Sequence, residues 1–579
     1  MSNNVSAVLD DSYNYSMWVE VYNASLTDTY NIRDYYFTDD LSNLTKWRPP
    51  SRRIAPGGYS ILWFERDDRA NHSNFKLNPE GGILYLSNKI GEIMDIVEYP
   101  AQYRNTSYGR IQDGANEWVH FYEHSSGILN NGRKWASQQC SAPKFSLSGG
   151  FYSSTINCKF EIPQENETIY YILDGKEPTL NSYKYNTRTG FNITKTTIVR
   201  AICLSDQKIP SNISSSTYLI NERKFDLPVS SIITDDKNLT DNTIGIYVKG
   251  TNGISGNGTN EKVNWNQDWD RPANYELFDE KGQTRLNQEL DIAIAGGWSR
   301  TINPQKSLKV NPRKKFGDNR LRYDIFATSK PNRKYKSIQI RNSGNDFANS
   351  MMRDGFMKTL VANCMNIDYL AYQPAICFMN GQYYGIQNLR ERSNKDFVYS
   401  NYNLDEDDFV LVDHANISNG PFASVINYVK NNDITNTTVY ENISSIVDIE
   451  NLIDYYIAQM YFNNTDLPQN NLKAWKKNED GKWRWILYDT DFGFNLFGEN
   501  KHNNNTVNHV QNATDASSIV FKRLMLNSLF KNKFMDRFCI HMSNTFETDR
   551  VNKIMDSLAA AIRTEMPFHK QRWGSTINS

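Results

Sequence analysis

The chain carries almost no net charge: 64 lysines and arginines stand against 65 aspartates and glutamates, for a balance of −1. That balance gives no argument for a nucleic-acid or anionic-membrane partner. No uninterrupted apolar run approaches ~18 residues, so no membrane span is expected. Cysteine is scarce, with six residues and no Cys-x-x-Cys spacing, and the eight histidines form no His-Glu-x-x-His pattern. A zinc centre or a thiol redox motif is therefore not expected. Cys158 and Cys203 fall in one expected β region and read as two buried thiols, with a bond between them left open.

What the chain does have is length and aromatic side chains, 12 Trp, 34 Tyr and 28 Phe in 579 residues. That is ample for several cores and too much for one, so three or four domains are expected. Residues 1–137 read as all-β: Trp18–Asn23, Tyr59–Phe64 and Gly82–Ser87 alternate between Gly, Asn, Asp and Pro punctuation. Residues 138–222 form a second small β unit. There Tyr170–Leu173 runs into an Asp174-Gly175 turn closed by Pro178, and Thr196–Ile202 alternates again.

From residue 223 to 579 the composition turns to mixed α/β. Gly245–Lys249 reads as a strand, and the glycine-rich Gly250–Gly258 after it lacks the Gly-Lys-Ser/Thr ending of a P-loop. A better phosphate candidate follows the strand Asp291–Ala295: Gly296, Gly297, Trp298, Ser299 and Arg300. Glycines let backbone N–H groups approach phosphate oxygens, and an arginine neutralises them. Lys306 precedes Ser307-Leu308-Lys309-Val310 on the face of Leu308 and Val310. A lysine on an apolar strand face is served by an anionic partner such as a nucleotide phosphate, or it snorkels to water; the two readings are even.

The stretch Leu452–Asn495 carries the chemistry. Leu452, Ile453, Tyr456, Ile457, Met460 and Tyr461 mark a buried helix face, with Asp448 as its N-cap. Asn463–Asn471 ends the helix in a loop, and two aromatic-rich runs, Leu472–Lys476 and Trp483–Tyr488, pair across an Asp480-Gly481 turn. Asp489-Thr490-Asp491-Phe492-Gly493 follows. Phosphoryl transfer needs a group to take the hydroxyl proton and oxygen ligands for divalent cations. Asp466 suits the first task. Asn471, five residues on, and Asp489 suit the second, and Asp491 shares a face with Asp489 if the chain is extended there. Alone, Asp-Phe-Gly is an ordinary turn, and Asp-x-Asp also holds metal in glycosyltransferases; order and spacing together favour the kinase reading.

Three resemblances organise these pieces. Trp18–Asn23, Asn74–Leu77, Gly91–Asp95 and Ser107–Arg110 with Asp113-Gly114 and Trp118 resemble a lamin-tail domain, an immunoglobulin-like sandwich. Where that family has its opening strand this chain starts at Met1-Ser2-Asn3-Asn4, so its natural start is expected to be trimmed and a signal segment removed. Pro143–Tyr152, Tyr170–Thr179 and Thr196–Ile202 resemble the C-terminal domain of chitobiases and β-hexosaminidases. That module is an accessory in carbohydrate-active proteins, and no suitably placed carboxylate pair argues for hydrolysis.

Residues from about 241 to 493 resemble the CotH kinase family of atypical protein kinases. The carrying pieces are Gly296–Arg300 through Gln305–Leu308, Arg341 through Arg353-Asp354, Asn380–Gly385 with Leu389-Arg390-Glu391, and the Asp466…Asn471 and Asp489-x-Asp491 motifs. The resemblance implies phosphorylation of protein Ser or Thr by ATP with Mg²⁺ or Mn²⁺. By position Lys306 matches the nucleotide-contacting lysine, Asp466 the catalytic aspartate and Asp489 the metal-binding aspartate, with Asn471 and Asp491 beside it. Gln305 departs from the pattern where many members carry a second lysine. Asp354, on an expected helix Met351–Asn363, is a candidate partner of Lys306. Glu391 is either a contact to adenine or ribose or a surface salt bridge.

The expected whole is two all-β immunoglobulin-like sandwiches followed by an α+β, two-lobed kinase-like domain, extracytoplasmic, acting on a surface or coat protein. The β modules are candidates for carbohydrate contact. The rival reading is a non-catalytic adhesion or carbohydrate-binding protein with a kinase-like fold, and a third is metal-dependent glycosyl or nucleotidyl transfer.

Overall fold

The computed structural model describes residues 1–468, 470–496, 498 and 503–574; Gln469, in the expected catalytic loop, lies outside them. The amino-terminal third is β-rich. Its first part contains β1 (Trp18–Tyr22), β2 (Tyr35–Thr38), β3 (Tyr59–Trp63), β4 (Gly81–Asn88), β5 (Ile93–Pro100), β6 (Ser107–Arg110) and β7 (Trp118–Phe121). These pair as β1–β3, β2–β4–β5 and β6–β7, around one apolar cluster that includes Phe37, Leu62, Phe64, Leu84 and Tyr99. The second part is a five-stranded sheet of β8 (Gly150–Tyr152), β9 (Thr168–Ile172), β10 (Tyr183–Lys184), β11 (Thr197–Leu204) and β12 (Ser214–Ile220), in the order β8-β12-β11-β9-β10. Cys158 and Cys203 are both buried but do not bond: the Cys158 thiol lies 3.5 Å from the Tyr218 hydroxyl, whereas Cys203 has Cys140 as its thiol neighbour.

A closed barrel follows. Its strands are β13 (Val229–Ile233), β14 (Arg271–Phe278), β15 (Thr284–Ala295), β16 (Ser307–Asn311), β17 (Ile338–Arg341), β19 (Tyr372–Met379) and β20 (Gln382–Arg390). They close in the order β13-β14-β15-β16-β17-β20-β19, with only the β13–β19 seam parallel. Closure removes the sheet edges, and Leu290, Ile292, Leu308, Val310, Ile340 and Leu389 fill the interior. Gly245–Lys249 is not a strand. Gly245, Ile246 and Tyr247 donate backward to Asp241, Asn238 and Leu239, and a side chain at Gly245 would collide with the Asp241 carbonyl. That is a compact turn folded onto the preceding helical segment.

The remainder is mixed. Helix α1 (Arg353–Val361) packs on the barrel. A four-stranded sheet joins β18 (Asp368–Tyr369), β21 (Phe409–Asp413), β22 (Lys473–Lys477) and β23 (Arg484–Leu487), in the order β18-β23-β22-β21. Against it lie α2 (Lys395–Tyr402), α3 (Ala423–Asn431), α4 (Thr437–Ile446) and α5 (Ile449–Tyr461), and the chain ends in α6 (Thr506–Asn512), α7 (Ile519–Leu524), α8 (Ser528–Ser543), α9 (Thr548–Arg563) and α10 (Met566–Trp573). Helix α5 is buried along nearly its whole length, and the Asp448 side chain caps it by accepting from Asn451 N at 3.0 Å.

One buried ion group ties the three parts together. Arg104 of the first β part donates to Glu177 of the second at 2.6 Å and to Glu289 of the barrel at 3.0 and 3.1 Å. Arg200 Nη2 lies 3.8 Å from Glu289, and its Nη1 donates to the Gly175 carbonyl. Burial opposes ionisation of Glu177, but Arg104 and Arg200 outweigh it and hold the carboxyl down at about 2.

Candidate active site

The acidic pair is presented by the turn after β23 and met by the barrel. Asp489 adopts a left-handed backbone (φ +49), so the chain is turned there rather than extended as expected. The two carboxylates still reach one position, because a single nitrogen of Arg341 contacts both: Nη2 lies 2.6 Å from Asp489 Oδ1 and 2.8 Å from Asp491 Oδ2. Asp491 is fully buried and also accepts from Asn345 N at 3.0 Å and Nδ2 at 3.2 Å, while Asp489 keeps a third of its side chain exposed. Burial and then Asp489 push the Asp491 carboxyl up to about 7, with Arg341 holding it down. Gly344 makes room for this contact: at φ +64, an added Cβ would sit 2.6 Å from Asp491 Oδ2 and against the Arg341 guanidinium.

The loop after α5 supplies the rest. Asn471, also left-handed (φ +50), donates Nδ2 to Asp466 Oδ2 at 2.5 Å and reaches the Asp489 carbonyl at 3.5 Å. Asn470 adds a second donor to Asp466 Oδ2 at 3.1 Å. Burial, then the charge of Asp489, raise the Asp466 carboxyl above the usual aspartate range. Asp466, Asn471, Asp489 and Asp491 are thus brought into one cluster. Gly493 closes it, since a side chain there would meet the Phe462 carbonyl at 2.9 Å.

The cations expected at the nucleotide do not join this cluster. Lys306, immediately ahead of β16, and Arg341, on the neighbouring β17, point opposite ways. Leu308 and Ile340 are register partners inside the barrel, so Arg341, one residue on, projects outward, whereas Lys306, two residues before Leu308, turns inward. The Lys306 amine donates to the Arg300 carbonyl at 2.6 Å and stacks 4.2 Å over Trp265, a ring packed on the barrel core. Burial and then Arg300 bring it down to about 8. The amine is therefore not wet, which corrects the snorkelling expectation, and it does not pair with Asp354. Arg300 is spent likewise on the carbonyls of Gly296 at 2.5 Å and Trp265 at 3.2 Å. Ser299 opens a four-residue helical turn, and its Oγ occupies the space over Gly296, with Gly297 between them. Gly296, Gly297, Ser299, Arg300 and Lys306 therefore form a knot bonded within itself.

Two further expectations are corrected. Asp354 pairs with Lys358 at 2.5 Å and with Arg390, not with Lys306, and it accepts from Thr490 N and Oγ1 at 2.7 and 2.8 Å. Burial opposes ionisation, yet Arg390, Lys358 and Arg341 hold its carboxyl well below the usual range. Its role is to anchor the acidic turn through Thr490. Glu391 is neither a surface salt bridge nor free for a nucleotide. Buried, it takes Lys330 Nζ at 2.6 Å, Ala371 N at 2.8 Å and Asn401 Nδ2 at 2.8 Å. Four further side chains matter to which the sequence reading gave no site role: Arg341, Asn345, Arg390 and Lys358. The signal was present at Arg341, where Ile338-Gln339-Ile340-Arg341 alternates apolar and polar and leaves an arginine on the outer face.

The donor set fits a hard divalent cation. Two carboxylate oxygens already converge on one positive group, with an amide side chain beside them, and such cations take oxygen ligands. Comparison with known proteins gives two matches, and no curated protein matches the chain. Residues 147–215 match the chitobiase/β-hexosaminidase C-terminal domain, and residues 292–578, which hold every carboxylate of the cluster, match the CotH kinase protein family. The chain therefore carries a CotH kinase domain preceded by a chitobiase/β-hexosaminidase C-terminal domain.

Proposed function

We propose that the protein transfers the γ-phosphoryl group of ATP to a serine or threonine hydroxyl of a surface or secreted protein, with a divalent cation. The observation that carries this reading is the convergence of Asp466, Asn471 and Asp489, with Asp491 joined through Arg341. When bound, ATP and Mg²⁺ or Mn²⁺ supply the phosphoryl group and the charge that offsets its oxygens. Asp466 takes the acceptor proton. Its Oδ2 is fixed by Asn470 and Asn471, so the acceptor hydroxyl is served by Oδ1. Its raised carboxyl makes it a better base than an ordinary aspartate. Asn471 and Asp489, with Asp491 behind, hold the cation. Arg341 is the cation nearest those carboxylates and is placed to meet phosphate oxygens with its planar fork.

In this reading the barrel and α1 act as the small lobe, the helices from α2 onward as the large lobe, and the cluster lies at their junction. The two β parts, taken as residues 1–137 and 138–222, are immunoglobulin-like modules, the first of lamin-tail type, on an extracytoplasmic protein whose kinase domain spans 223–579. One observation favours the non-catalytic alternative: the glycine-loop cations are consumed by backbone carbonyls. Transfer of label from [γ-³²P]ATP to a protein acceptor, by the full chain and by Asp466→Asn and Asp489→Asn, decides between them. Label lost in both variants supports the kinase. No label from the unaltered protein with either metal supports the binder, and label from the α-phosphate redirects the reading to nucleotidyl transfer.

A further inference from the structure

The chain crosses from the barrel to the helices between the end of β20 at Arg390 and the start of α2 at Lys395. Lys473, the first residue of β22 and two residues after Asn471, is fastened to that crossing. Its Nζ donates to the Ser393 carbonyl and lies 3.3 Å from the Ser393 hydroxyl. The same amine stands 4.9 Å over the ring of Tyr488, the residue before Asp489. Asp413, its register partner on β21, gives a carboxylate oxygen to Ala415 N at 3.1 Å. Among the described residues no carboxylate forms an ion pair with the Lys473 amine, whose bonds go to neutral oxygens.

The other cations around the acidic cluster are engaged. Arg390 and Lys358 pair with Asp354, Arg353 pairs with Asp346, and Arg300 and Lys306 are spent on backbone carbonyls. Arg341 is seated on the acidic pair itself. Lys473 is left as a half-buried ammonium on which the charges of Asp413, Arg392 and Asp489 act. A charge drawn out of water is costly until a counter-ion meets it, and an ammonium bonded to one serine keeps an N–H to give. ATP with one divalent cation is still an anion, and Asp466 and Asp489 add to the negative charge it must be bound against. We propose that Lys473 is a nucleotide-binding cation, donating to an oxygen of the ATP phosphate chain from the β22 side as Arg341 does from the barrel side. This is the task that position in the motif gives to Lys306, whose amine turns into the barrel. The inference rests on the phosphoryl-transfer reading for the identity of its ligand.

The test is calorimetric titration of the full chain with ATP in the presence of Mn²⁺. Lys473→Gln keeps a donor for the Ser393 carbonyl and loses the charge, so it should bind ATP about tenfold more weakly or worse. Lys473→Arg should return the affinity to within about threefold of the unaltered protein, because the charge is back. Mn²⁺ affinity without nucleotide should not fall in Lys473→Gln, which separates loss of a phosphate contact from loss of the site. Should that variant melt early, acetylation of the unaltered protein decides: ATP with Mn²⁺ should protect the Lys473 amine and leave that of exposed Lys477 as reactive as before, read by peptide mass mapping. Unchanged ATP affinity in Lys473→Gln, a parallel fall in Mn²⁺ affinity, or no protection by ATP overturns this inference alone and makes Lys473 a tie between β22 and the crossing. An unaltered protein that binds no ATP overturns it together with the phosphoryl-transfer reading.

Discussion

Arg341 Nη2 stands 2.6 Å from Asp489 Oδ1, a barrel arginine seated on the carboxylate assigned to the metal. Arginine and divalent cation are thus competitors for the same oxygens. Burial works against the charge of this guanidinium, and Asp489, Asp491 and Asp354 outweigh it, holding its pKa above the usual range. Arg341→Gln should bind Mn²⁺ about tenfold more tightly in the absence of nucleotide, about 1.4 kcal/mol, since one unit of repulsion is removed. Titration by electron paramagnetic resonance reads this directly, and Asp489→Asn should abolish it. Phosphoryl transfer by Arg341→Gln should nevertheless fall, because the charge facing the phosphates is gone.

Asp466→Asn keeps the shape of the loop and removes the base. Transfer should drop by about 10²–10⁴-fold while the melting temperature stays within a few degrees. The pH profile gives a second check. The carboxyl is raised, so the rate of the unaltered enzyme should begin to fall, on acidification, at a pH above the ordinary aspartate value.

Lys306 is a buried amine bonded to one carbonyl and two rings. Its folded value of about 8 lies below the unfolded 10.5, so the fold favours the neutral amine. Stability from this group is greatest above pH 10.5 and diminishes as pH falls toward 8. Lys306→Met should therefore leave the protein as stable at pH 7 or stabilise it by roughly 1–2 kcal/mol. Affinity for ATP should change less than threefold. A tenfold loss of ATP affinity with an unchanged fold would support the nucleotide-contacting role.

Among the six cysteines, Cys140 and Cys203 are thiol neighbours in one buried cluster, while Cys158 faces Tyr218. Mild oxidation with oxidised glutathione should lower the mass by two hydrogens and link Cys140 to Cys203 in a peptide map, through thiol–disulfide exchange. A Cys158–Cys203 peptide would contradict the arrangement. The cross-link closes a loop of about 60 residues and should stabilise by about 4 kcal/mol.

Glu177 is held at about 2 against 4.5 in the unfolded chain. A depressed carboxyl contributes stability that is present above pH 4.5 and lost as pH falls toward 2. Calorimetry should show the midpoint falling across that window, and Arg104→Gln should flatten the dependence while lowering stability at pH 7 by about 3 kcal/mol, as removal of one partner from a buried pair does.

Much of this was legible in the residues. The strands of the first two parts, helix α5 with its Asp448 cap, and the β22–β23 hairpin follow from periodicity and turn chemistry, which are local. The carboxylate cluster followed from spacing within 30 residues of chain. What spacing does not reveal is which way a side chain leaves a closed barrel. Lys306 and Arg341 are separated by one strand crossing, and only the register of β16 on β17 decides that the lysine turns in and the arginine out. Asp354 was misassigned for the same reason, because its partners Arg390 and Thr490 arrive from distant segments. Gly245–Lys249 alternates like a strand, yet its backbone is satisfied by the preceding turn, a competition invisible to a window of five residues.

The guanidinium of Arg104 has an effect on synthesis as well as on the finished molecule. It leaves the ribosome 73 residues before Glu177 and 185 before Glu289. During that interval the part that holds Arg104 exposes a lone positive group at what will become an internal seam. The part that holds Arg104 is thus completed only after the barrel strand bearing Glu289 has been made, and the carboxylates arrive in turn as its counter-ions.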